Sequence, residues 1–398
     1  MKRVLAIETS CDETGIAIVS LDNGRYAVIS DALNSQVDIH KEFGGVFPMV
    51  AKREHGQNLL PLLQICLTAV DGASVECTDD QVSKALSHLE REPELEQLMR
   101  TELQNSDSFI FTKPNIDAIA VTAGPGLEPA LWVGISFAKA LSVLWNKPIL
   151  PINHMEGHVA SVVLGAQISP EDTFPAFALL ISGGHTEVVH VAGWADYKVI
   201  GKTRDDAVGE AYDKAARILG LSYPGGPEIS LRATRLRDEH AAGHLKLLLT
   251  SHGIALPRPM MHSKDVDFSF SGLKTAVLYL VRDLKEKGPL TDEIVSLVCY
   301  EFEEAVAEVL EAKLTFAKRM HGESKTLIVA GGVIANAYIR DRLDTWCILH
   351  DMRCLKPEKG LATDNAIMIG LAALIGTKDG VEAERISARG GWKIDEVY

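Results

Sequence analysis

Residues 4–19, VLAIETSCDETGIAIV, read as an apolar strand, a polar turn and a second apolar strand beginning at Gly15. Residues 177–191, FALLISGGHTEVVHV, repeat that form, with a tight Ser/Gly/His/Thr turn between two strands. Two matching hairpins, each accompanied by further strands and amphipathic helices, constrain the chain to a duplicated α/β architecture. The expected lobes are 1–173 and 174–398, with the second starting near Phe174. A length of 398 residues suits two lobes better than one core. A cleft between two such lobes is the natural place for a ligand.

Periodicity places further elements around the hairpins. Residues 49–70 have helical spacing, and Pro61 inside them implies a kink or a restart. Residues 115–126 read as a strand entering a Gly/Pro turn, 130–145 as an apolar helix, 300–319 as an amphipathic helix, and 325–332 as a buried strand ending in a Gly-Gly turn before another helix. Residues 71–113 are charged and helix-prone, divided by Pro93, and read as an inserted helical hairpin. A solvated surface decoration is its plainer role, ahead of a docking element.

Two histidines in NHMEGHVAS, His154 and His158, stand four apart at a predicted helix start and so share one face. The peptidase motif H-E-x-x-H has this spacing with the base directly after the first His. Here that position is Met155, and Glu156 lies about 200° around the helix from His154. The pair therefore offers metal ligands without the peptidase's base, although paired histidines on a helix more often pack or face solvent. In ATDNA, 362–366, a helix N-cap is the better reading of Asp364 from its position alone, and a third, oxygen ligand is the alternative. Two His plus one carboxylate is a common iron or zinc set.

Other motifs suit a nucleotide. In ISGGHTEV, Gly183 and Gly184 let backbone N–H groups approach an anion, with Ser182 and His185 as further donors; a plain hairpin turn is the alternative. VAGGVIAN, 329–336, puts Gly331 and Gly332 between strand and helix, with Asn336 able to reach a nucleotide on that turn. It matches G-x-G-x-x-G poorly, which disfavours a Rossmann site. In DDAVGEAYDKAARILGLSYPGGP, Asp206 suits a helix cap, Asp213 lies inside the helix and suits ribose hydroxyls, the helix ends near Gly220, and 223–227 read as a rigid turn. Lys274, after the Ser-Gly turn of FSFSGLKT, suits an anion or plain solvent.

The charge balance limits what such a chain does alone. With 54 acidic and 40 basic residues, net −14, it repels nucleic acid at long range, so work on RNA requires a local basic patch or a basic partner. Six cysteines without a C-x-x-C pair suit reduced thiols in a cytoplasmic protein. Glu8 interrupts the apolar run of MKRVLAIETSCDE, so the start reads as a buried strand and not a signal peptide, and no run is long enough to cross a bilayer, so no membrane association is expected.

SCDET, GGVFPMVA, TAGPGL, HMEGH, LISGGHTEV, GEAYDK, YPGGP, FSFSGLKT, AGGVIAN and ATDNA occur in one order across nearly the whole chain outside 71–113. Together they resemble the TsaD family, the tRNA N6-adenosine threonylcarbamoyltransferases. The resemblance implies a two-lobed actin/Hsp70/sugar-kinase-like (ASKHA) fold, with duplicated RNase H-like lobes and a central nucleotide and metal cleft. It implies transfer of the threonylcarbamoyl group from threonylcarbamoyl-AMP to N6 of the adenosine beside the anticodon in tRNAs reading ANN codons. It maps one iron or zinc ion onto His154, His158 and Asp364, and adenine nucleotide or threonylcarbamoyl-AMP onto Leu180, Ile181, Ser182, Gly183, Gly184, Asp213, Gly226 and Asn336. It also implies an inactive paralogue and a small ATPase as partners. Departures from the common family pattern are Asn153 in place of His, Met49 in place of a carboxylate, and Glu128-Pro129-Ala130 after TAGPGL.

For this acyl transfer, Asp12 or Glu13 is expected to orient the amine or accept its proton, and His185 and Lys274 to stand near the developing phosphate charge. Rival readings are a metallopeptidase, a small-molecule kinase or carbamoyltransferase of the same fold, and a non-catalytic paralogue. The absent base at Met155 opposes the first, the combination of HMEGH with ATDNA the second, and the complete ligand set the third.

Overall fold

The computed structural model describes residues 1–105, 107–164, 173–376 and 380–398, without the Lys359 side chain. Ser106, in the charged insertion, lies outside the described residues. The chain divides into two units, Met1–Gln167 with Thr363–Tyr398, and Ile168–Ala362.

The first unit holds β1 (Lys2–Glu8), β2 (Glu13–Asp22), β3 (Arg25–Ser35), β4 (Gly72–Ser74), β5 (Thr112–Pro114), β6 (Ala118–Gly124) and β7 (Ile149–Asn153). Its main sheet has the order β3-β2-β1-β6-β7, with β1, β6 and β7 parallel and the hairpin strands antiparallel. Parallel neighbours need crossovers. The helices Pro48–Leu67 and Glu128–Trp145 supply them, burying Leu59, Leu63, Phe137 and Trp145. Pro61 does not interrupt Pro48–Leu67, which runs through it as one helix.

The insertion is a pair of helices, Asp79–Ser87 and Pro93–Leu103, with Pro93 in the first turn of the second. It is no solvated decoration. Ala85, Leu89, Leu95 and Met99 join the unit's core, and Lys52 pairs with the buried Glu92 at 3.0 Å. Its charged residues cover one face while a sparse apolar stripe, diluted by Glu and Arg in the sequence, meets the core.

The second unit holds β8 (Ala176–Ile181), β9 (Thr186–Gly193), β10 (Asp196–Lys202), β11 (Thr326–Ala330) and β12 (Arg353–Leu355). Its order, β10-β9-β8-β11-β12, repeats the first sheet strand for strand, with β8, β11 and β12 parallel. The duplicated RNase H-like arrangement expected of an ASKHA fold is thus present in both units. The 29-residue helix Asp292–Met320 buries a continuous stripe including Phe302, Val306, Val309 and Leu310.

One boundary differs from the linear division. Residues 174–398 do not form a single lobe, because Thr363–Tyr398 belongs with the first unit. The helix Ala366–Ile375 is apolar on all sides, as a fully enclosed helix must be. Small residues let it sit tightly there: a Cβ on Gly15 would lie 2.9 Å from the Ala366 nitrogen, and one on Gly370 2.6 Å from a Val19 methyl. A Cβ on Gly157 would likewise meet Ile369 at 3.0 Å and Met368 at 3.1 Å.

Candidate functional site

That return of the chain assembles the first cluster. β7 ends at Asn153, whose side-chain oxygen caps the helix His154–Ala160 by accepting from the Met155 N–H at 2.9 Å. His154 and His158 project from this helix with ring centroids 4.6 Å apart. Asp364 Oδ1 lies 3.4 Å from His154 Nε2 and 3.2 Å from His158 Nε2. Asp364 is not the cap of the following helix; Asn365 is, accepting from the Met368 N–H at 3.0 Å. The one-residue offset leaves the Asp364 carboxylate to the histidines.

The far side of His154 is fixed as well. Its Nδ1 is 3.1 Å from Glu8 Oε2 and 3.2 Å from Ser10 Oγ. Glu8 in turn accepts from Thr122 Oγ1 at 2.6 Å and from the Ser10 N–H at 2.5 Å. This is a carboxylate–histidine arrangement that sets a ring's orientation and tautomer for a ligand on its other nitrogen. The only sequence signal for Glu8 was a charge closing an apolar strand.

The electrostatics ask for a cation. Burial pushes the His154 imidazole down, but Asp364 and then Glu8 hold it well above the usual histidine range. Burial likewise pushes Glu8 and Asp364 up, and His154 outweighs it, holding Glu8 below and Asp364 well below their ordinary values. Two carboxylates, Glu8 fully buried and Asp364 partly so, thus share one positive group. His158 is fully buried, and neither of its ring nitrogens makes a hydrogen bond among the described residues. An orphaned buried imidazole is costly. A His/His/carboxylate set around it fits a divalent metal.

Asp12 and Glu13 lie on the β1–β2 turn and at the start of β2, in the same unit. Burial, then the charges of Asp12 and Asp364, push Glu13 up to about 10, so it carries a proton at neutral pH unless a cation joins the cluster. The turn is braced by His55, which was not singled out in the sequence. Its Nε2 donates to the Cys11 carbonyl at 3.1 Å, and its Nδ1 accepts from Thr14 Oγ1 at 2.8 Å. Burial above all pushes His55 down to about 4, so it is neutral.

The remaining predicted residues all lie in the second unit. Leu180 and Ile181 are fully buried in β8, so only their backbone can face a ligand. The turn that follows is closed by the Ser182 N–H donating to the His185 carbonyl at 2.9 Å and the His185 N–H donating to Ser182 Oγ at 3.1 Å. Gly183 and Gly184 have open space where a Cβ would stand. Gly209, at the start of the helix Val208–Leu219, packs on this turn, and a Cβ there would fall 2.7 Å from the Ser182 carbonyl. Gly331 has φ +97°, and a Cβ would lie 2.5 Å from the Ile181 carbonyl, so β11 and β8 end side by side only because this residue is glycine.

Several expectations need correcting here. Residues 225–227 are not a free rigid turn but the first turn of the helix Gly225–Glu239, and Asp213 Oδ1 accepts from the Gly225 N–H at 2.7 Å. Gly226 follows with open space at its Cβ. Asn336 caps the helix Ala337–Leu349, accepting from the Ile339 N–H at 3.0 Å, while its Nδ2 donates to the buried Glu303 at 2.6 Å. Asp206 is not the cap of the helix Val208–Leu219, where Ala207 stands; it pairs with Lys214 at 2.7 Å and with Lys274 at 3.9 Å. Lys274 sits inside the helix Ser271–Lys287, not after a turn, and Asp205 pins that helix's start through the Phe270 and Ser271 N–H groups at 2.8 and 3.1 Å.

No helix among the described residues is long and apolar enough to cross a membrane. The model of the TsaD family, described as tRNA N6-adenosine threonylcarbamoyltransferase, matches residues 27–78 and 95–371. The unmatched 79–94 fall within the charged insertion. A protein of that description from Chromobacterium violaceum is 38% identical over 395 residues, covering 99% of this chain and 98% of its own length. One from Burkholderia thailandensis is 41% identical over 375 residues, covering 94% and 91%. Among solved structures, full-length HypF in its phosphate- and nucleotide-bound form aligns with TM-score 0.46 and 12% identity, over 94% of this chain and 47% of that one. YeaZ from Pseudomonas aeruginosa aligns with TM-score 0.25 and 15% identity, over 50% and 64%.

Proposed function

The chain belongs to the TsaD family of tRNA N6-adenosine threonylcarbamoyltransferases, and on that premise we propose how its residues divide the reaction. The enzyme forms N6-threonylcarbamoyladenosine in tRNA. In our reading the donor is threonylcarbamoyl-AMP and the acceptor the adenosine beside the anticodon of tRNAs reading ANN codons. The N6 amine attacks the carbamoyl carbon, the bond from that carbon to the phosphate oxygen breaks, and AMP leaves.

His154, His158 and Asp364 would hold one iron or zinc ion, which supplies Lewis-acid polarisation when bound. Glu8 and Ser10 keep the His154 ring turned so that Nε2 faces Asp364. Asp12 accepts the proton released from N6. Glu13 orients the amine. In the second unit, the open backbone of Ser182, Gly183 and Gly184 takes the phosphate, with His185 and Lys274 as nearby donors. Asp213 serves the adenosine by fixing Gly225 and so presenting Gly226. Asn336 fixes the start of the helix Ala337–Leu349, which follows β11, the strand paired with β8. An inactive paralogue and a small ATPase are the proposed partners, since a chain of net charge −14 needs basic surface from elsewhere to hold tRNA.

The single observation carrying this reading is the buried His158, without a hydrogen bond yet 3.2 Å from Asp364. The test supplies labelled threonylcarbamoyl-AMP, unmodified tRNA and the partners to wild type and to His158→Ala. Modified adenosine with wild type and none with the variant supports it. Equal product from both would sink the metal assignment.

A further inference from the structure

A second set of ligating side chains stands in the second unit, away from every residue used above. His190 lies on β9, and His321 and Glu323 lie in the short turn between the helix Asp292–Met320 and β11. One ligand atom from each falls within 4.8 Å of the others. The imidazoles of His190 and His321 are stacked with centroids 5.1 Å apart, close to the 4.6 Å of the His154–His158 pair. Phe177 meets both rings edge-on at 6.2 Å and forms an apolar base beneath them.

An ordinary stacked pair leaves one fact unexplained. His190 Nε2 is buried and makes no hydrogen bond among the described residues. Glu323 Oε1 stands 3.7 Å from it, too far for a hydrogen bond. Two ligands of one tetrahedral ion, each about 2.0–2.1 Å from it, are separated by roughly 3.4 Å. The gap is therefore near the spacing a shared ion would set. Carboxylate and two imidazoles also match the donor preference of zinc-class ions over magnesium or calcium.

We propose that His190, His321 and Glu323 form a second divalent-metal site, of the zinc class, that ties the exit of the long helix to β9. Three protein ligands leave a fourth position for water, on the side where Glu323 is 61% exposed. The site is one of stability, not of transfer.

Zinc stoichiometry on the untagged, metal-stripped full chain tests this, read by competition with a chromogenic chelator. Wild type should take two ions. His154→Ala/His158→Ala should still take one, and its thermal midpoint should rise with zinc. Adding His190→Gln to that variant should abolish both the ion and the rise, while His190→Gln alone keeps transfer activity. Should His190→Gln misfold, Glu323→Gln at an exposed position gives the same readout. A His154→Ala/His158→Ala chain that takes no zinc, or one that keeps its zinc after His190→Gln or Glu323→Gln, overturns the proposal. Failure of the first site alone would instead leave wild type with one ion and His190→Gln with none.

Discussion

The β1–β2 turn and the β8–β9 turn occupy the same place in two sheets of identical strand order, yet they are chemically opposite. The first, Thr9 to Asp12, is largely buried and leads from Glu8 into the cluster of Asp364, His154 and His158. The second, Ser182 to His185, has open space over two glycines and is closed by backbone and a serine hydroxyl. One scaffold therefore carries a turn set among carboxylates, which on the proposed function would serve a cation, and a turn of open backbone, which would serve an anion. The difference comes from the hairpin tips together with Glu8, His154, His158 and Asp364 beside the first.

The largest expected break in this comparison is His158→Ala. Removing a ligand should lower transfer by on the order of 10³-fold, the several kcal/mol a Lewis acid contributes, while adenine-nucleotide affinity stays unchanged. Glu8→Gln is milder. It keeps the size of the group but weakens its hold on His154 Nδ1, so metal affinity measured by chelator competition should fall roughly 10- to 100-fold.

Acid should affect the first turn before the second. His55 has a folded value of about 4 against about 6.5 when unfolded, so the unfolded chain binds more protons below pH 6.5. Its contribution is full above pH 6.5 and is lost as pH falls towards 4. Between pH 7.5 and 5, wild type should lose ~2 kcal/mol more in urea unfolding than His55→Gln, which does not titrate there. Equal losses would remove His55 as the brace. The smallest effect is Gly183→Ala. Its Cβ enters open space, so the thermal midpoint should hold, but intrusion on the phosphate should cost about 1–2 kcal/mol, roughly tenfold in nucleotide affinity by calorimetry, with metal content intact.

Much of this was legible in the sequence because it is local. The hairpins follow from alternating apolar runs, and the His154–His158 pair from a spacing of four on one helix. What escaped depends on distant segments meeting. Asp364 and Asn365 are adjacent and both suit a cap; only packing of Ala366–Ile375 on β1 and β2 decides that Asn365 caps and Asp364 turns to the histidines. The same packing draws Thr363–Tyr398 into the first unit, which a linear reading of the boundary misses. Glu8, His55 and Glu303 are single polar residues in apolar contexts, and nothing in their neighbours names the partner 40 or more residues away for Glu8 and His55, or the 33-residue step from Glu303 to Asn336. Asn336 shows the converse: its place after a Gly-Gly turn suggested a ligand, but a helix cap and Glu303 account for both ends of its amide.

Asp364 belongs with the first unit but is translated after the whole of the second. A nascent chain therefore displays both histidines long before their carboxylate exists, and any product terminated before codon 364 keeps an incomplete coordination sphere. A metal held by the proposed set would thus require that synthesis has passed residue 364, an order of assembly written into the gene.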